Sequence, residues 1–257
     1  MTFGLDNEWL VTAEVDLDEL LVLFPDIIKL LKMIWYISLL MSVATPKIRS
    51  MNAHHARGLK LLFGDNYTNW SYGDFNLSMA TPWNVSRVIS EVTTKIYPCH
   101  DYEGQYVFDM FGGLGIDTIC LSKYYRVLTT EIDETTYKSL VANCSIFPEC
   151  KDGEIKNIDC IKFASSISQR DVKPHFIFFD PPWGDNFNSR CDNFDFTNVM
   201  LPNGLYIVSI LDKLLEITPN IVIKTSLKSS TFELRYAKRI AHVMVFQKQK
   251  LKFIFLR

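Results

Sequence analysis

The chain has 257 residues, 48% of them apolar, with 27 Lys and Arg against 29 Asp and Glu. That is enough to bury the core of one large α/β domain plus a short extension, and it excludes a chain disordered throughout. A formal charge of −2 excludes a generally basic nucleic-acid coat.

The charge is unevenly spread, with nine Lys or Arg against one acid, Glu233, between positions 224 and 257. The six cysteines, at 99, 120, 144, 150, 160 and 191, form no C-x-x-C pair and have no His at ligand spacing, so neither a metal site nor a disulfide scaffold is expected. The acidic N-terminus lacks a basic, apolar leader, and the chain reads as intracellular, in the nucleus or the cytoplasm.

Residues 1–50 read as a helical N-terminal extension. Asp16, Asp18 and Glu19 suit a helix start, where the macrodipole favours acids, and Pro25 interrupts the pattern. A second helix is expected over about 26–44, with Pro46 beyond its end. Residues 27–44 are mostly apolar, but Lys29 and Lys32 break the run. The uninterrupted part, 33–44, falls short of the roughly 20 residues a membrane span needs. A buried helix, or one facing a protein partner, is expected instead.

Residues 51–257 form the main domain, with 51–98 as its lead-in segment. Residues 51–81 are polar, aromatic and rich in Gly and Asn, an ordered loop. Thr81 and Pro82 suit an N-cap and first helical position, for a helix reaching about Tyr97. Strands and helices then alternate: strand 106–109, a Gly-rich turn, helix 116–123, strand 126–131, helix 134–146, strand 154–158, strand 175–180, helix 206–217 and strand 220–225. Two β-rich runs, 241–247 and 251–256, close the chain as an antiparallel hairpin. Alternating βα units predict a parallel sheet with helices on both faces.

The first strand ends in Asp109 and runs into Met-Phe-Gly112-Gly113-Leu-Gly115. Glycines there let a ligand approach the backbone. The spacing Asp-x-x-x-Gly-x-Gly is not that of a dinucleotide turn, and the acid before the glycines would repel a pyrophosphate. It suits a ligand carrying an ammonium group, such as the amino-acid part of S-adenosylmethionine. Glu131 ends the second strand, placed to accept ribose hydroxyls, and Asp159 after the third is a candidate for the adenine amino group. With Phe111, Thr118 and Ile132 these complete the candidate cofactor site.

The fourth strand ends Phe179-Asp180-Pro181-Pro182-Trp183-Gly184. Ligands of open α/β sheets bind beyond the carboxyl ends of the strands, so this loop should lie beside the cofactor turn. Two prolines stiffen it. A fixed carbonyl and the Asp180 carboxylate can accept hydrogen bonds from an exocyclic NH2, and Trp183 offers a flat face on which a base can stack. Asp180, Pro181, Pro182 and Trp183 are the candidate catalytic set.

Asp180-Pro-Pro-Trp183 resembles the catalytic motif of amino-group methyltransferases. The chain is more closely similar to the trimethylguanosine synthase family, the RNA cap guanine-N2 methyltransferases. Residues 109–119, 131–133 and 181–184 resemble that family's cofactor, ribose and Pro-Pro-Trp-Gly motifs, and Leu62-Phe63 with Ala80-Thr81-Pro82 its upstream segment. The likeness spans roughly 55–225. It implies a Rossmann-like class I methyltransferase, a mostly parallel seven-stranded sheet, and methyl transfer from S-adenosylmethionine to N2 of a 7-methylguanosine cap. By that likeness Trp183 stacks on the methylated base, Asp109, Gly113 and Gly115 hold the methionine part, Glu131 the ribose and Asp159 the adenine, and Thr81 lines the pocket. Capped RNA is the implied partner. Lys224, Lys228, Arg235, Lys238 and Arg239 are candidates for its phosphates; solvated edge charges are the plainer reading of a basic terminal hairpin.

Three positions depart from the pattern: Asp180 where the family has Ser, Asp185 for the second Gly after Trp, and Ile116 for a Gly. An Asp at position 180 is common in adenine-N6 and cytosine-N4 methyltransferases, which stay open as an alternative. A catalytically silent module binding RNA or protein is a third reading, opposed by the intact Asp109, Gly113, Gly115 and Glu131.

Overall fold

The computed structural model describes residues 53–72, 77–98, 106–167, 172–183, 195–201, 204–229 and 235–257. The extension 1–50 and its expected helix at 26–44 lie outside the described residues. No helix among the described residues is long and apolar enough to cross a membrane.

The lead-in segment opens with α1 (Ala53–Phe63), continues into a 3-10 turn at Gly64–Asn69, and reaches α2 (Trp83–Ile96). The alternating part follows: β1 (Tyr106–Asp109), α3 (Ile116–Ser122), β2 (Arg126–Glu131), α4 (Glu134–Ser145), β3 (Glu154–Asn157), α5 (Cys160–Ile167), β4 (Ile177–Phe179), α6 (Ile207–Ile217) and β5 (Ile221–Ser226). The closing hairpin is β6 (Ile240–Phe246) and β7 (Leu251–Leu256).

Among the described residues the seven strands form one sheet in the order β3-β2-β1-β4-β5-β7-β6. The first five pair in parallel, and β7 enters antiparallel between β5 and β6. The hairpin therefore does not simply extend the edge: its second strand is the inner one. Strand order reverses between β1 and β4, which leaves a crevice at their carboxyl ends.

Sequence alternation explains the two layers. Val107, Phe178, Val222, Phe253 and Phe255 pack on one face with Val85 and Ile89 of α2. Their neighbours Phe108, Ile177, Phe179, Ile221, Ile223 and Ile254 pack on the other with Phe163 of α5 and Ile210, Leu211 and Leu214 of α6. Side chains of a strand alternate between faces, so strands covered on both faces read as unbroken apolar runs. Buried Tyr97, just after α2, donates its hydroxyl to the Leu256 carbonyl at 2.5 Å and lies 3.2 Å from that of Ile221, fastening the lead-in to the sheet.

Residues 51–81, expected as loop, open with the helix Ala53–Phe63, whose Leu59 and Phe63 are buried against α3 and α4. The helix Cys160–Ile167, which buries Phe163 and Ile167, was not expected. Two expected boundaries change for physical reasons. The fourth strand was expected over 175–180, but its ladder stops at Phe179, because Pro181 and Pro182 have no N–H to continue it. Thr81 was expected to cap α2. The helix instead starts one residue later, with Pro82 in the cap position, and the Thr81 hydroxyl donates to Asp117 Oδ2 at 2.6 Å.

The lead-in segment packs against α3 and α4, where Leu59, Phe63 and Trp70 meet Leu114, Ile116, Ile119 and Leu140. Asn143, fully buried in α4, fastens it. Its Oδ1 accepts the Ser71 N–H at 2.7 Å, and its Nδ2 donates to the carbonyls of Ser71 (2.8 Å) and Leu114 (2.9 Å). One side chain thus ties the lead-in to the Gly-rich turn.

Candidate active site

The turn after β1 is shaped by what glycine omits. A Cβ at Gly112 would lie 2.6 Å from Thr129 Oγ1 and 2.8 Å from a Leu140 methyl carbon. Gly115, at φ +91°, occupies left-handed backbone where side chains are strained, and a Cβ there would lie 2.9 Å from Leu140. The turn thus closes tightly against β2 and α4 while its outer rim faces the crevice.

Asp109, at the mouth of β1, is 1% exposed. The Thr118 hydroxyl donates to its Oδ2 at 2.6 Å, whereas Oδ1 is buried with no hydrogen-bond partner. Burial pushes this carboxyl up to about 7 from an ordinary 3.8; the Thr118 hydroxyl and, more weakly, the nearby Phe111 amide oppose that rise, and the charges of Asp117 and Asp180 add to it. Asp117, in the first turn of α3, repeats the arrangement: Oδ2 accepts from Thr81, and Oδ1 is buried and unpartnered. Buried acceptors are nearly always satisfied in proteins. Two orphan carboxylate oxygens at one turn point to a cationic donor, and an ammonium group fits that requirement.

Glu131, half-buried at the end of β2, leans back over the turn. Its Oε2 accepts the Gly113 N–H at 3.0 Å and its Oε1 the Asp133 N–H at 2.9 Å; burial raises its pKa against these bonds. Asp133 caps α4, accepting the Thr136 N–H at 2.8 Å. Ile132 between them is 68% exposed, an apolar side chain offered to solvent at the crevice edge. Asp159 caps α5, its Oδ1 accepting the Ile161 N–H at 2.8 Å. Phe111 lies edge-on to Phe179, with ring centroids 5.5 Å apart.

The loop after β4 begins two residues beyond the pairing of Asp109 with Phe178, so the cofactor turn and Asp180-Pro181-Pro182-Trp183 lie side by side. Pro181 is buried and Pro182 half-buried. Trp183, also half-buried, packs against both apolar layers. Burial pushes Asp180 up to about 6; the Lys224 ammonium works against that and the Asp117 charge adds to it.

The expected phosphate contacts do not stay together. Lys224 is buried in β5 and its ammonium bonds to Asp180 and to the Met79 carbonyl, so it is no outward-facing cation. Arg235 is exposed and paired with Asp212 at 2.8 Å. Lys238 and Arg239 precede Ile240, which the pairing sets level with Ile221 at the start of β5. They lie at the edge of the sheet opposite the crevice. Asn143 and Met79 also bear on the site without any motif to mark them, and Asp117 is marked only as a member of the stretch 109–119. Asn143 shares the helix face of Leu140 three residues earlier, which shows only once the helix is packed, and a backbone carbonyl such as that of Met79 leaves no sequence signal.

Strand order, the Gly-rich turn beneath Asp109 and the Asp-Pro-Pro-Trp loop define a class I methyltransferase, a fold whose methyl donor is S-adenosylmethionine. The chain belongs to the RNA cap guanine-N2 methyltransferase family, whose model matches residues 104–256. No curated protein sequence matches it significantly. Among solved structures it is similar to a Porphyromonas gingivalis methyltransferase (16% identity, 78% of this chain and 47% of that one, TM-score 0.52). It is also similar to a Klebsiella pneumoniae O-methyltransferase (11%, 82% and 92%, TM-score 0.50) and to an RNA methyltransferase of Pyrococcus horikoshii (15%, 79% and 96%, TM-score 0.49). At these identities the likeness is one of fold.

Proposed function

We propose that this chain methylates the exocyclic N2 amine of a 7-methylguanosine RNA cap. The observation that carries the reading is the adjacency, across the switch between β1 and β4, of an acid-lined turn with orphan acceptors and a Pro-stiffened loop bearing Asp180 and Trp183. The family match over 104–256 supports the choice of substrate.

Asp109 and Asp117 would receive the ammonium of S-adenosylmethionine, and Glu131 would exchange its bond to the Gly113 amide for the ribose hydroxyls. Ile132 and Asp159 would border the adenine. Bound there, the cofactor supplies a methyl group on a cationic sulfur, open to displacement by an amine nitrogen. The residues of the chain act by holding that amine in place. Trp183 stacks on the base, and a cationic base strengthens the contact. Asp180 and the Pro181 carbonyl accept the amine N–H groups and aim the lone pair. Positioning of this kind can account for several kcal/mol of a barrier. An exocyclic amine is far more acidic once methylated, so its proton leaves afterwards without a strong base.

Phosphates of the RNA body would meet the crevice side of the sheet. There Leu227 N–H bonds to the Lys250 carbonyl at 3.0 Å, which brings Lys228 beside the β6–β7 turn carrying Lys248 and Lys250. A K248A/K250A variant is expected to raise KM several-fold for a capped oligoribonucleotide while leaving KM for the cap dinucleotide unchanged, since each lost phosphate contact also flattens the salt dependence.

The test of the reading is transfer from labelled S-adenosylmethionine to 7-methylguanosine cap dinucleotide, with unmethylated cap, uncapped RNA and DNA alongside. Label on the 7-methylated cap alone is the expected result. Label on adenine or cytosine of uncapped oligomers would overturn it in favour of the second reading, which Asp180 favours.

A further inference from the structure

Lys224, in β5, is 2% exposed, yet its ammonium forms an ion pair with Asp180. Pairing of Phe179 with Ile223 sets the next residue of each strand, Asp180 and Lys224, side by side. The Lys224 Nζ donates to Asp180 Oδ2 at 2.5 Å and to the Met79 carbonyl at 3.1 Å. Two residues beyond Met79, the Thr81 hydroxyl holds Asp117 at 2.6 Å. The short stretch 79–81 is therefore tied at one end to the loop that would bear the amine and at the other to the helix that follows the cofactor turn.

A buried ion pair is a poor device for stability, because apolar residues of similar volume generally hold a fold as well or better. This pair also stands among uncompensated acids. The groups charged toward Asp180 are Asp117 from α3 and Lys224 from β5, and Asp109 of β1 is raised by both Asp117 and Asp180. Lys224 is the one cation in this set of described residues. Its part in the chemistry follows from what Asp180 must do. An ionised carboxylate only accepts hydrogen bonds, whereas a protonated one donates one. An amine about to be methylated needs acceptors.

We propose that Lys224 is the positioning residue of the amine site: it holds Asp180 as a charged acceptor of fixed orientation and joins it to the 79–81 stretch that is bonded to α3. The proposal rests on the methyl-transfer reading above. Without Lys224, Asp180 keeps its burial and its acidic neighbours and loses the one cation beside it among the described residues, so it takes up a proton at neutral pH and turns donor. Even with Lys224 in place, burial holds Asp180 at about 6.

The test compares wild type, Lys224→Met, Lys224→Arg, Asp180→Asn and the double variant D180N/K224M, with the cap dinucleotide as substrate. In K224M, kcat/KM at pH 7 is expected to fall at least 100-fold, the acidic limb of its pH profile to move up by at least one unit, and part of the loss to return by pH 9. Kd for S-adenosylmethionine by calorimetry should change less than 3-fold, and K224R should recover most of the activity. Within D180N, adding K224M should change kcat/KM less than 3-fold, because Lys224 acts through Asp180. D180N leaves the Lys224 ammonium with the Met79 carbonyl as an acceptor, and the double variant removes both members of the pair, so this comparison does not depend on K224M alone folding.

A loss in K224M that is equal at every pH, or a full further loss within D180N, would overturn the proposal. If wild type methylates none of the substrates offered, the functional reading fails, and Lys224 is then read without substrate. The gap in urea midpoint between wild type and K224M should widen from pH 5 to pH 8 as Asp180 ionises, and a gap independent of pH would overturn the proposal.

Discussion

Trp183→Ala is expected to lower kcat/KM for the 7-methylguanosine cap by two to three orders of magnitude while leaving cofactor affinity within about 3-fold. Stacking of a base on an aromatic ring is worth about 1–3 kcal/mol, and a cation over a desolvated ring adds roughly 2 kcal/mol. At about 1.4 kcal/mol per tenfold, that sum of about 3–5 kcal/mol gives two orders of magnitude at its low end and somewhat more than three at its high end. The change should fall on kcat as well as on KM, because the ring fixes the angle at which the amine meets the methyl group. Trp183→Phe keeps an aromatic face and should lose only about tenfold. The ring is half-buried against both apolar layers, so some stability is lost too; thermal melts at matched temperature separate that loss from the kinetic one. An alanine variant that turns over the cap at an undiminished rate would remove Trp183 from the substrate site.

Asp109→Asn is expected to weaken S-adenosylmethionine by about 30-fold or more, and at the same time to stabilise the cofactor-free protein at alkaline pH. The first effect follows from removing one charged partner of a buried contact, which costs roughly 2–5 kcal/mol. The second follows from linkage. The folded-state pKa of Asp109 is raised to about 7 above an ordinary 3.8, so the folded protein holds a proton that the unfolded chain has lost. Stability contributed by this group is therefore highest below pH 4 and falls as pH rises toward 7.

At 1.36 kcal/mol per unit of pKa, the penalty above pH 7 is on the order of 4 kcal/mol. Asparagine abolishes that slope and keeps an acceptor for the Thr118 hydroxyl, but buries an unpaired NH2 at a cost of about 1–3 kcal/mol. Urea unfolding without cofactor should thus show the variant gaining on wild type between pH 5 and pH 8, and falling level with it or below it near pH 4. Cofactor at about 100 times the wild-type Kd should stabilise wild type by about 2.7 kcal/mol and the variant by less than about 1 kcal/mol, by mass action. Parallel pH curves for the two proteins would mean that Asp109 is not held protonated. An unchanged Kd would mean that the ammonium is held elsewhere.

Much of the fold was legible beforehand because its signals are local. The apolar stretches 107–108, 127–128, 176–179 and 221–223, buried from both faces of the sheet, marked four of its strands. Helix and strand alternated at spacings that permit only parallel pairing. The cofactor turn could be read from its glycines because Gly112 and Gly115 occupy places where a Cβ collides with Thr129 or Leu140. The Asp-Pro-Pro-Trp loop could be read because prolines end a strand by covalent chemistry, whatever the surroundings.

What escaped was decided by register and burial. Lys224 looked like a phosphate contact in a basic tail, until the pairing of Phe179 with Ile223 set it beside Asp180. Thr81 looked like a helix cap, until α3 placed Asp117 within 2.6 Å of its hydroxyl. Lys238 and Arg239 stood beside Lys228 as candidates for phosphate. The register of β6 and β7 against β5 puts them at the end of the sheet away from Lys228 and the β6–β7 turn. The sequence alone determined the order of the strands, the cofactor turn and the loop that faces it, since each depends on short-range sterics and on the alternation of a strand. Tertiary structure alone decided which charges are buried, which pair, and which reach the crevice. A side chain's electrostatic role depends on neighbours that lie 36 to 145 positions away in the chain and on how far water is excluded between them.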